Sequence, residues 1–173
     1  NYLLRYWMAE AGIDPDRDVR LIVVPPRRMA EKLRSGEIDG FCVGAPWNAL
    51  AVSERAGEII IYAADFWKVG PDKVFGVTAA WAQERPQAVT AVVRALLKAA
   101  AWCDEPQNRP TLVKLLARPD YVDAPEAVIA ESLLGSPAYA ADKSGSGSLD
   151  YLIYHRYAAN FPWRSHALWF LTQ

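Results

Sequence analysis

Histidine is scarce in this chain. There are two, His155 and His166, along with two cysteines, Cys42 and Cys103. So few imidazoles and thiols leave little for a metal centre, and no spacing matches a zinc motif. Cys42 lies in an apolar strand pattern and Cys103 on a helix pattern, so both are expected as buried free thiols without a disulfide. Charge of one sign is missing as well. With 19 basic and 20 acidic residues the net charge is −1, which excludes the basic stripe of a general nucleic-acid binder. No run approaches the roughly 18–20 uncharged apolar residues that a membrane helix needs. The opening Asn1-Tyr2-Leu3-Leu4-Arg5-Tyr6-Trp7 carries no initiator methionine, leader or lipobox and lies already inside an amphipathic pattern. It reads as the start of a cut gene, a processed chain or a partial sequence.

What is present is apolar and heavily punctuated. About half of the residues are hydrophobic (52%), enough for a sizeable core, and 12 prolines and 10 glycines mark many element boundaries. Leu3, Leu4, Trp7, Met8 and Ala11 share one helical face over 2–11, and Gly12 ends that helix. Residues 14–18 form a turn cluster. Residues 19–24 read as a largely buried strand closed by Pro25-Pro26. A short helix over 27–35 turns Met29, Ala30 and Leu33 inward and stops at Gly36. A second strand spans 38–43, a third helix opens at Pro46 and runs to about Ala56, and further strands fall at 58–62 and 74–78. Buried strands alternating with short helices imply an α/β layer with a mostly parallel sheet, whose ligands sit beyond the strand C-termini.

After residue 80 the pattern turns helical. Helices are expected over 86–103, 109–117 and 125–134, each with an early proline. A Gly/Ser-rich loop covers 136–148, residues 149–158 are ambiguous between helix and strand, and 165–171 are apolar and aromatic. With no strands of its own to cover, this half is expected to pack its apolar faces against something outside the chain. The seven tryptophans, eight tyrosines and five phenylalanines fall mostly at helix or junction positions, where packing is their default use.

Catalytic constellations fail one by one. No Gly-x-Ser-x-Gly stands at a strand–helix turn, and Ser165 beside His166 is a sequence neighbour rather than a triad. There is no Walker loop, dinucleotide fingerprint or metal spacing. The best chemical candidate is Phe41-Cys42-Val43-Gly44-Ala45-Pro46-Trp47-Asn48. Here a strand ends at a glycine that permits close backbone approach, and a helix first turn offers free N–H groups to an anion. Trp47 either walls that seat or is an ordinary core tryptophan. Lys73, at the entrance of 74–78, is either the seat's point charge or a solvated surface lysine.

Taken together, the segments Asn1 to Trp7, Gly12-Ile13-Asp14-Pro15-Asp16, Val23-Val24-Pro25-Pro26, Asp39 to Gly44 followed by Pro46-Trp47-Asn48, and the ending Asn160-Phe161-Pro162-Trp163-Arg164-Ser165-His166 to Gln173 resemble the nitrate/bicarbonate-binding proteins of ABC transporters. They are also similar to a cytoplasmic nitrate/nitrite sensor that pairs with an RNA-binding antiterminator. A related domain is appended to one transporter ATPase. The resemblance runs through the whole chain in order. It implies a periplasmic-binding-protein-like type II fold: one α/β lobe with a mostly parallel sheet over 1–79, plus C-terminal helices over 80–173 that return toward a first lobe not in this chain.

By the same resemblance, backbone at Val43 and Gly44 together with Lys73 holds the anion, and the family's binding histidine falls just before Asn1. One departure stands out: Ala45 replaces the glutamate of the family's Gly-Glu-Pro-Trp. The implied ligand is nitrate or nitrite. The implied partners are ABC transporter membrane subunits or, for a sensor, a regulatory antiterminator protein, with no direct nucleic-acid contact. A transport receptor would be periplasmic or membrane-associated, and a sensor cytoplasmic. No cofactor is implied. An enzyme on this fold, such as a thiamine-pyrimidine synthase, would need a reactive histidine or cysteine in the cleft, where Cys42 is the only candidate.

Overall fold

The computed structural model describes residues 2–67, 70–134 and 152–172. The first half carries short helices whose ends are written into the sequence. Helix α1 (Tyr2–Glu10) buries Met8 and closes in a Schellman turn. In that turn the Ile13 N–H donates to the Met8 carbonyl (2.9 Å), the Gly12 N–H donates to Ala9 (2.9 Å), and Gly12 sits at φ +78°. Arg5 then ties the following turn to α1 through Asp16 at 2.7 Å. A 3-10 turn (Pro26–Arg28) leads into α2 (Met29–Arg34), which ends in the same way at Gly36, φ +72°. Helix α3 (Trp47–Ser53) repeats the device with Arg55 at φ +54°. A side chain there occupies the left-handed conformation that glycine takes at little cost.

The strands expected over 19–24, 38–43, 58–62 and 74–78 are not formed, and this corrects the mostly parallel sheet. Among the described residues no strand is present, and no backbone hydrogen bond joins these four segments to one another. They run as extended chain with apolar side chains uncovered: Ile60 is 79% exposed, Val74 91%, and Val23 fully. A strand exists only through its ladder, and the apolar runs that suggest one cannot supply the pairing partner.

The second half is helical. Two short helices precede the long ones: α4 (Ala63–Phe66) is opened by Asp65, whose carboxylate accepts the Tyr62 N–H at 2.9 Å, and α5 (Ala79–Glu84) by the Thr78 hydroxyl, which accepts the Trp81 N–H at 3.2 Å. Helix α6 (Pro86–Asp104) begins at a proline. Helices α7 (Arg109–Leu116), α8 (Glu126–Leu134) and α9 (Arg164–Leu171) follow. Helices α6, α7 and α8 match the expected spans closely, and α9 gives a helix to the stretch 165–171 that the sequence marks only as apolar and aromatic. The expected 136–148 loop lies outside the described residues, and of 149–158 the described part holds a 3-10 turn, Arg156–Ala158.

The buried cluster is Leu112, Val113, Ala124, Ile129 and Leu133, with Trp47, Cys103, Leu152 and Tyr154 packed against it. It sits between α7 and α8, and α3 from the first half closes one side. Burial of each large aliphatic side chain there contributes about 1.5–3 kcal/mol. By contrast α6 leaves Val92, Val93, Leu96 and Leu97 exposed. A separate aromatic cluster joins the two ends of the described chain. Tyr6 meets Trp169 at 5.5 Å, Tyr2 meets Phe170 at 5.9 Å, and Trp67 packs on Trp169 at 4.8 Å.

Candidate functional site

Gly44 and Lys73 come from different extended segments, and the fold brings them together. A Cβ built on Gly44 would lie 3.9 Å from the Lys73 Nζ, with no other atom of the described residues within 4 Å beyond its chain neighbours. A small anion resting on the exposed Gly44 backbone would therefore touch the ammonium as well. The lysine is presented rather than buried. It pairs with its neighbour Asp72 at 2.8 Å, and the two side chains are 79% and 76% exposed. An ion pair that exposed is weak, and an incoming anion displaces it at little cost.

Val43 is half-buried and leads into Gly44. Helix α3, which follows the buried Pro46, has seven residues, so its dipole supplies little positive potential at this corner. Trp47 packs against the buried cluster, with the Arg27 guanidinium 5.7 Å from its ring centroid. Arg27 also donates to Asp123 at 2.7 Å and to the Val122 carbonyl at 3.0 Å. The sequence gives no sign of this role, since Arg27 and Arg28 follow Pro25-Pro26 alike. Cys42 is exposed, a correction to the expected buried thiol, because the strand meant to cover it does not form. Cys103 is partly buried. Burial, then the nearby Asp104 charge, push its thiol pKa up, which keeps it protonated and unreactive at neutral pH.

The histidines lie in separate surroundings. His166 stands edge-on to Trp67 at 5.7 Å, and the His155 Nδ1 is 3.3 Å from the Asn160 amide nitrogen. Among the described residues no group of three His, Cys, Asp or Glu side chains could hold a metal ion, and no helix is long and apolar enough to cross a membrane.

The most heavily bonded polar group lies away from Lys73. Asp104 ends α6, where a carboxylate faces the negative end of the helix. Its oxygens accept backbone N–H bonds from Tyr154 (3.1 Å), His155 (2.7 Å) and Arg156 (2.7 Å). Buried Arg109 pairs with it at 3.4 Å and donates to the Leu133 (2.8 Å) and Leu152 (3.0 Å) carbonyls. Burial works to raise the Asp104 pKa, but the three N–H donors and the Arg156 charge together hold it below the usual carboxylate value. Tyr154 is pushed up to about 12, first by burial.

The NMT1-like family matches residues 1–117. The chain belongs to that family. This NMT1-like chain is 39% identical over its full length to the nitrate import ATP-binding protein NrtC of Synechocystis, of which it covers 26%. It is equally identical, again over its full length, to the bicarbonate transport ATP-binding protein CmpC of Synechococcus elongatus, covering 25%. Among solved structures, the periplasmic nitrate-binding protein NrtA from Synechocystis PCC 6803 superposes with a TM-score of 0.86 at 30% identity, over 98% of this chain and 44% of that one. The resemblance read from the sequence is thus borne out, and the fold is that of the NrtA binding protein over the part covered. The chain spans about a quarter of the two curated relatives and under half of the solved one.

Proposed function

We propose that this NMT1-like chain carries one side of an oxyanion site in a solute-binding protein, or solute-binding domain, for nitrate or nitrite that serves an ABC transporter. The observation that carries this reading is the Lys73 Nζ standing 3.9 Å from where a Cβ on Gly44 would lie. Nitrate is flat, singly charged and a weak acceptor, so one ammonium and a few N–H donors balance it. Bicarbonate bears a proton and wants an acceptor as well. Val43 and Trp47 complete the proposed site, Val43 through its backbone and Trp47 by fixing the corner from behind.

Residues 1–79 belong, in this reading, to the second lobe of such a protein. Residues 80–173 form the segment that packs on the other lobe, and the exposed α6 face of Val92, Val93, Leu96 and Leu97 suits that contact. The solved relative is a nitrate-binding protein and the other two belong to nitrate import and bicarbonate transport, which favours a receptor over an enzyme. The test is calorimetric titration of nitrate, nitrite and bicarbonate into the whole protein, with Lys73→Ala as control. Nitrate or nitrite binding that Lys73→Ala abolishes supports the reading. No heat from any of the three, with the protein folded, sinks it, and Ala45, standing where the family has glutamate, is then the first residue to revert.

A further inference from the structure

Arg27 holds three groups with one guanidinium. It donates from Nη1 to the Asp123 carboxylate (2.7 Å) and from Nη2 to the Val122 carbonyl (3.0 Å), and it lies 5.7 Å from the Trp47 ring centroid. The planar fork can bond in its plane while a face stacks on an aromatic, a combination that lysine lacks. Among the described residues its neighbour Arg28 pairs locally, with Glu31 at 3.1 Å, so the two arginines are not interchangeable. The partner side is also fixed. Asp123 sits at φ +55°, a conformation that costs a non-glycine residue energy and persists only where surroundings hold it. Its N–H donates to the Leu116 carbonyl at 3.2 Å, and the Val122 N–H does the same at 3.1 Å.

What Arg27 fixes is the corner that carries Gly44. Trp47 is the first residue of α3, and half-buried Ala45 and buried Pro46 are all that separate it from Gly44. Lys73 arrives on an independent segment without a sheet to set its register against Gly44. The distance between the two therefore depends on where the Gly44–Trp47 corner is held.

We propose that Arg27 is the positioning residue of the anion seat, clamping the Gly44–Trp47 corner to the α7–α8 connection through Asp123, Val122 and Trp47. The inference rests on the nitrate reading, and the experiment separates the two. Nitrate affinity is measured by calorimetry in the whole protein for wild type, Arg27→Met, Arg27→Glu and the exchanged pair Arg27→Glu with Asp123→Arg. Hydrogen–deuterium exchange is followed at residues 44–48 and in α7 and α8. Arg27→Met weakens nitrate binding about five-fold, the scale of one partly exposed ion pair plus a cation–π contact. It speeds exchange at 44–48 and leaves α7 and α8 protected. The exchanged pair binds more tightly than Arg27→Glu alone. Wild-type affinity and unchanged exchange in Arg27→Met overturn the proposal, as does exchange that rises equally through α7 and α8. If wild type takes no nitrate, the functional reading fails, and exchange at 44–48 still decides whether Arg27 positions the corner.

Discussion

Two ion pairs divide this molecule. Arg109 and Asp104 are 2% and 5% exposed and pair at 3.4 Å, while Lys73 and Asp72 are 79% and 76% exposed and pair at 2.8 Å. The shorter contact is the weaker tie. Asp104 is surrounded by backbone donors and Arg109 by backbone acceptors, so Arg109 without Asp104 would be a buried, uncompensated charge, while Asp104 without Arg109 would still have the partly exposed Arg156 at 3.4 Å. Lys73 and Asp72 lose little on separating, because water replaces each partner. One pair holds the α6, α7 and α8 helices to the segment at 154–156. The other keeps an ammonium within reach of Gly44 and free to change partners. Distance alone does not rank polar contacts; what replaces the partner does.

Substitutions break this contrast in graded fashion. Asp104→Ala strands Arg109 and three backbone N–H groups and is expected to cost about 3–5 kcal/mol, read as a large fall in the denaturant midpoint. Ile129→Ala empties the adjoining core at about 2–4 kcal/mol by the same measurement, and a loss below about 1 kcal/mol for Asp104→Ala would argue against the buried network.

Acidity sharpens the comparison further. Asp104's folded pKa is lowered, so its stabilisation is present above its unfolded value of about 3.9 and is lost as pH falls through the folded value. Tyr154's is raised to about 12. Its contribution is therefore full below the unfolded value of about 10 and is lost as pH rises through about 12. Melting temperature followed against pH should fall at both ends, and Asp104→Asn should flatten the acid limb. Lys73→Ala should leave the melting temperature unchanged within error while removing nitrate binding; a destabilised variant would place Lys73 among the structural ties instead. The smallest effect is expected at Arg55, where Arg55→Gly relieves the positive φ and stabilises by up to about 1 kcal/mol.

Helices were the legible part of the sequence. Gly12 and Gly36 announce their Schellman turns, Pro86 starts α6, and the apolar spacing of 109–134 fixes α7 and α8. The strands were not, because apolar runs such as Val19 to Val24 report hydrophobicity and not the neighbour that would pair with them. At the site, Gly44 stood out as a glycine at an element boundary, and Lys73 as a lysine at the entrance of an apolar segment, a position that fits a solvated surface lysine equally well until the family resemblance favours the anion. Arg27, Asp104 and Arg109 were invisible, because each acts through partners distant in sequence. The Asp104 carboxylate bonds backbone groups, which leave no trace in residue type.

The most direct test of the central claim, that Gly44 and Lys73 form one seat, is a double-mutant cycle on nitrate affinity with Gly44→Ala and Lys73→Gln, followed by NMR titration up to millimolar nitrate in the whole protein. Gly44 has an ordinary φ and room for a Cβ, so Gly44→Ala should fold normally and intrude only on the space before the lysine. One shared seat predicts that the second substitution costs much less in the presence of the first. Fully additive losses, or undiminished binding in Gly44→Ala, would contradict it.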